Sequence, residues 1–175
     1  SKINEDYTEF YEKIKKNIDE NKFDETKDTL LDFISENSNE IKAINFYLEC
    51  LIELKQFEEV DLFIDSLDDK IKEKREIKQI IKKLEIIKNN LTGPSINDLI
   101  SKLEKKPNDI NLIIEVASKY FSMKEYENSM GLLLRNYPKN KDKVKNKMIE
   151  FFEVLGSSNE FTIEYRKKLS QIMFS

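Results

Sequence analysis

Apolar residues return at three- and four-residue intervals along nearly the whole chain, the spacing that lines one face of an α-helix. Tyr7, Phe10, Tyr11, Ile14 and Ile18 make a first stripe, and Phe23, Thr26, Leu30, Phe33 and Ile34 a second after the polar break at Asn21–Lys22. A third segment carries two adjacent stripes. Ile41, Ile44, Leu48 and Leu51 form one, and Ala43, Tyr47, Cys50 and Leu54 the other, so this helix is expected to be buried over more than half its circumference. Phe57, Val60, Ile64 and Leu67 define a fourth, and a longer helix is predicted over 70–91 from Ile77, Ile80, Ile81, Leu84, Ile87 and Leu91.

The breaks between stripes are as informative. Thr92–Gly93–Pro94 stops the long helix, since glycine permits a left-handed terminus and proline cannot continue the ladder. Ser95, followed three residues later by Asp98, resembles a capping box and restarts a helix through Ile96, Leu99, Ile100 and Leu103. Pro107–Asn108–Asp109 breaks again before Ile110, Ile113, Ile114, Ala117, Tyr120 and Phe121. Tyr126, Ser129, Met130, Leu133 and Tyr137 run to Pro138, and Val144, Met148, Phe151, Phe152 and Leu155 end at Gly156. Phe161, Tyr165, Leu169, Ile172 and Met173 complete ten predicted helices, and no segment reads as a strand.

Three of these segments open alike. Lys22–Thr26, Gln56–Val60 and Glu125–Ser129 each present an aromatic, then an acid, a small or β-branched residue three on and an aliphatic seven on (Leu30, Ile64, Leu133). Phe23 and Phe57 are 34 residues apart, the tetratricopeptide period, and Phe57 and Tyr126 are 69 apart, close to two periods. The stretch from Pro107 to Tyr126 resembles the tetratricopeptide consensus best, with Ala117 and Ser129 where paired helices approach closely. The expected fold is all-α: a tetratricopeptide-like right-handed superhelix of about ten antiparallel helices in one domain over 1–175. First repeats would fill 1–69, a longer connecting helix 70–92, second repeats 93–138 and a C-terminal capping helix pair 139–175.

Composition narrows the chemistry. The 175 residues include no His, no Trp and a single Cys, with 3 Gly and 3 Pro. Without histidine there is no Ser-His-Asp or Cys-His catalytic machinery and no imidazole metal ligand, and one cysteine closes no internal disulfide. The three glycines are too dispersed for a phosphate-cradling loop. The chain is therefore expected to bind rather than catalyse, with no cofactor, no metal and no small-molecule substrate. Cys50, on an apolar stripe, reads as an inert small hydrophobe. Asp61, Asp65, Asp68 and Asp69 lack the glycine and alternating oxygens of a calcium loop.

The net charge of −4 hides an asymmetry: residues 1–68 hold 19 acids and 8 bases, residues 69–175 hold 15 acids and 22 bases. Only Arg75, Arg135 and Arg166 are arginines, so the basic half is not read as a nucleic-acid surface, and Lys139, Lys141, Lys143, Lys145 and Lys147 are read as a solvated helix start. No run is long and apolar enough to span a membrane, nor does the start read as a signal peptide. A lone cysteine without such a signal favours a reducing cytoplasm.

Lys147–Gly156, then Glu164–Leu169 and a final Phe174, resemble the C-terminus of the bacterial thioredoxin-like chaperedoxin family (YbbN type). The likeness is sharpest over 107–135 and 147–174, and holds only in pattern over the first 90 residues. Members fuse a thioredoxin fold to a helical repeat region with the same order of elements. This chain has no Cys-x-x-Cys, so the resemblance implies the helical half alone, excised or diverged, and no redox chemistry on these residues. It implies a cytoplasmic holdase-like co-chaperone whose partners are unfolding client proteins and a chaperonin, with redox homeostasis belonging to the full-length family. The docking element it implies is Tyr165, Arg166, Lys168, Leu169, Ile172 and Phe174; the plain alternative is that this helix only caps the array. Asn45, Glu49, Ile114, Phe121 and Ser122 are the residues expected to line a groove on the first helices. The alternative function is a generic tetratricopeptide scaffold for one partner's peptide.

Overall fold

A computed structural model describes residues 6–175. Among them are eleven α-helices and no strand: α1 Thr8–Asp19, α2 Phe23–Glu36, α3 Ile41–Glu53, α4 Phe57–Ser66, α5 Asp69–Lys72, α6 Arg75–Leu91, α7 Ile96–Lys105, α8 Ile110–Ser122, α9 Tyr126–Arg135, α10 Lys141–Leu155 and α11 Glu160–Met173. A 3₁₀ turn at Tyr137–Lys139 links α9 to α10. The eleventh helix arises because the segment expected as one helix over 70–91 is two, α5 and α6. Between Asp68 and Glu76 only Ile71 is apolar, so no continuous stripe holds the backbone helical there. Asp68 caps α5 through its carboxylate, and Lys74 N–H closes a tight turn onto the Ile71 carbonyl before α6 begins.

The chain divides into two compact units within α6, one ending at Ile80 and the other beginning at Ile81. In the first, α1 packs on α2, α2 on α3 and α3 on α4. Its centre is Ile14, Leu30, Ile44, Leu48, Leu51 and Val60, all buried. Phe10 stacks on Phe33 at 4.3 Å between centroids, and Tyr7 meets the same ring edge-on. In the second, α8 packs on α7, α9 and α10, and α11 on α9 and α10. Ile113, Ala117, Met130, Leu133, Met148 and Phe151 are fully buried there. Each of the larger side chains among them, removed from water, contributes roughly 1.5–3 kcal/mol.

The sequence repeat is also a backbone repeat. Asn21, Lys55 and Lys124 are the non-glycine residues at positive φ among those described, at 58°, 59° and 61°. Each sits two residues before the aromatic that opens the second helix of a hairpin. Each is followed by the same long backbone bond: Lys22 N–H to Asn17 O, Gln56 N–H to Leu51 O and Glu125 N–H to Tyr120 O, all 2.9 Å. This is a Schellman closure made without glycine. The turns that lead into α3 and α8 match as well, with Asn37 at φ −134°, ψ 60° and Lys106 at −134°, 64°. Thr26, Val60 and Ser129, the small residues of the repeat, are all completely buried. Ser129 donates its hydroxyl to the Ala117 carbonyl at 2.6 Å, locking α9 against α8. Ser95 caps α7 as its sequence suggests, and Asp109, Asn140 and Asn159 cap α8, α10 and α11.

Candidate functional site

The repeat register decides which face of each first helix stays open. In α3 that face is Lys42, Phe46 and Glu49; 34 residues earlier, in α1, it is Thr8, Glu12 and Lys15. Together they line a groove of about 1100 Å³ in the first unit, with Tyr7, Tyr11, Ile18 and the α2–α3 turn. Sixty-nine residues after Phe46 and Glu49, in α8, stand Glu115 and Ser118. They line a smaller groove of about 240 Å³ in the second unit, opposite Glu85, Ile86, Asn89 and Asn90 of α6 and Lys147 and Glu150 of α10. Asn111, the counterpart of Lys42, borders a neighbouring hollow of about 430 Å³ with Lys102, Lys105 and Lys106.

The first groove is aromatic at its base and acidic at its rim. Tyr7 donates its hydroxyl to Asn37 Oδ1 and Tyr11 donates to Glu40 Oε2, both at 3.1 Å. The two rings meet edge-on at 6.5 Å, and Phe46 lies 6.1 Å from Tyr11. Burial, and then the Glu40 carboxylate accepting its proton, push the Tyr11 phenol above the ordinary value, so it remains a neutral donor. The Lys42 ammonium sits over the Tyr11 ring, 4.6 Å from its centroid. The second groove is polar. Lys147 and Glu150 pair at 3.0 Å, Lys82 of α6 pairs with Glu153 of α10, and Lys119 donates to the Asn90 carbonyl.

Of the groove residues expected from sequence, Glu49 lines the first groove. Asn45 is half-buried, one position round the helix from the open face. Ile114, its equivalent in α8, packs against the core of the second unit. Phe121 corrects the expectation: it is buried, stacked on Phe151 at 4.1 Å and 9°, and offers no surface to a groove. Ser122 bonds back to the Lys119 carbonyl at 2.7 Å. Tyr11, Glu12 and Phe46 are not among the residues the sequence nominates, and Lys42 is only a weak sign there, with Asn45, of a receptor for a peptide C-terminus. Counting the period back from Asn111 and Glu115 of α8 finds Glu12, Lys42 and Phe46.

The expected docking helix divides in the same way. Tyr165 and Leu169 are buried and belong to the core, where contact with α9 and α10 takes the face that docking would need. Ile172 packs against that core. Arg166 and Lys168 are exposed, with the Arg166 guanidinium 5.5 Å from the Phe152 ring centroid and Lys168 over Tyr165 at 4.7 Å. Ile163, 60% exposed on α11, and Phe174, 82% exposed just past its end, are large apolar side chains left on the surface.

Elsewhere the polar clusters have structural work. Asp68 caps α5 and Asp69 lies 3.9 Å from Lys72. Among the described residues no three Cys, Asp or Glu converge as metal ligands. Lys139 donates to the Pro107 carbonyl and Lys143 to Asn111. No helix among the described residues is long and apolar enough to cross a membrane.

Residues 89–174 match the model of a family described as tetratricopeptide repeat. The fold is all-α and tetratricopeptide-like. Folds of this type are typically non-catalytic scaffolds for protein interaction. A solved domain of protein VP0806 from Vibrio parahaemolyticus, itself of unknown function, is similar at 20% identity with a TM-score of 0.44, over 93% of this chain and 96% of that one. No curated protein matches the chain.

Proposed function

We infer that the chain is a peptide-binding scaffold that uses the open faces of its first helices. The observation that supports this most is the common register of Thr8–Glu12–Lys15, Lys42–Phe46–Glu49 and Glu115–Ser118, where the repeat keeps side chains out of the core and lines two grooves with them. Photo-crosslinking amino acids placed at Phe46 and Ser118 should capture a partner saturably, and at Asp32 or Asp61 on the second helices they should not. Equal capture at all four positions would sink the reading.

A second reading has its own support in Phe174 and Ile163. Ile163 lies on α11 and Phe174 just past its last residue, Met173, and both are exposed. The chaperedoxin resemblance, which nominates Phe174 but not Ile163, supports reading this end of the chain as a docking element for a chaperonin, in a cytoplasmic co-chaperone that shields unfolding clients. Phe174→Ser with Ile163→Ser should then abolish chaperonin pull-down while circular dichroism stays unchanged. The chain should also suppress aggregation of an unrelated client. A chain that protects no such client, yet binds one peptide in its grooves, is the scaffold of the first reading.

A further inference from the structure

We propose that the groove of the first unit takes a lysine- or arginine-bearing segment of a partner protein, with one cation seated on the Tyr11 ring. This rests on the reading of the first-helix faces as binding surfaces and adds the chemistry of the occupant. Five carboxylates and two ammonium groups line the groove among the described residues, and residues 1–68 carry 19 acids against 8 bases. A cation approaching it is attracted and an anionic segment repelled, which fixes the class of partner before any contact forms.

The second observation is a cation already in place. Lys42 stands 4.6 Å over the centroid of the Tyr11 ring, whose hydroxyl donates to the Glu40 carboxylate. The chain's own side chain thus occupies the position a partner's lysine would take, with Phe46 beside the ring and Glu12 and Glu49 at the rim. Lys42 is exposed, so a partner can displace it. The groove of the second unit has no aromatic in its lining and less than a quarter of the volume.

The test is fluorescence anisotropy on the full chain with two short labelled peptides, one alternating lysine with serine, the other glutamate with serine. The lysine peptide should bind at least about tenfold more tightly, and its binding should fade toward about 1 M salt, where screening falls to about 3 Å. Lys42→Met should tighten it about threefold by removing the resident cation, whereas Lys13→Met, the same charge change outside the groove, should leave it unaltered. Tyr11→Phe should keep affinity within about twofold and Tyr11→Leu lose about three- to fivefold.

Equal responses to Lys42→Met and Lys13→Met would reduce the effect to net charge and overturn the assignment. So would preference for the glutamate peptide, or no binding of either. Concentration-dependent self-association that Glu49→Lys abolishes would make the occupant a second copy, and also overturn it. A partner crosslinked at Phe46 that carries no basic segment would refute this inference and leave the scaffold reading standing.

Discussion

Cys50 is fully buried between Tyr47 and Leu54, and burial, followed by the charges of Glu49 and Glu53, pushes its thiol up to about 12. A thiol held neutral in the fold but free to ionise near 9 when unfolded links stability to pH. The folded state keeps the proton that the unfolded state releases, so this contribution is intact below about 9 and is lost as pH climbs toward about 12. Thiol reagents at neutral pH should therefore modify Cys50 at the rate at which the first unit opens. Denaturation midpoints should fall across that alkaline window less in Cys50→Ala than in the parent. Rapid stoichiometric labelling of the native chain would contradict the burial.

At the level of the element, the hairpin closures carry a cost that natural sequence could have avoided. Lys55 and Lys124 adopt φ of 59° and 61°, a region that a side chain with a Cβ enters at a penalty of about 1–2 kcal/mol. Glycine would relieve it, minus what its looser unfolded chain takes back. Lys55→Gly and Lys124→Gly should each raise stability by about 0.5–1 kcal/mol in urea titrations. Asn21→Gly should gain less, since asparagine tolerates this conformation. A loss at Lys55 or Lys124 would mean that its side chain contributes more than the relieved backbone.

Across the whole molecule, the two units have separate cores. Phe151 is fully buried in the second, stacked on Phe121. Phe151→Ala should cost about 3–5 kcal/mol. Hydrogen exchange should register the loss in α8 to α11 while amides of α2 to α4 keep most of their protection, because repeat arrays open in local cooperative blocks. Uniform loss of protection along the chain would show that a single cooperative unit spans both.

The spacing of apolar residues was enough to set the helix content, most boundaries and the pairing of α8 with α9, because a helix must bury a stripe and the stripe is written in the chain. The same holds for the equivalence of Thr26, Val60 and Ser129, all completely buried. Three matters were decided only by tertiary packing. The long helix parts at Glu73–Lys74 because nothing apolar anchors that stretch, a local weakness that stripe counting passes over. Phe121, Tyr165 and Leu169 are core and not surface, since an aromatic or leucine beside a stripe goes wherever neighbouring helices leave space. The groove face lies one residue from Asn45 and Ile114, a rotation of about 100° on a helix. Which narrow face remains open depends on which two neighbours cover the others, and no residue of a helix records that by itself.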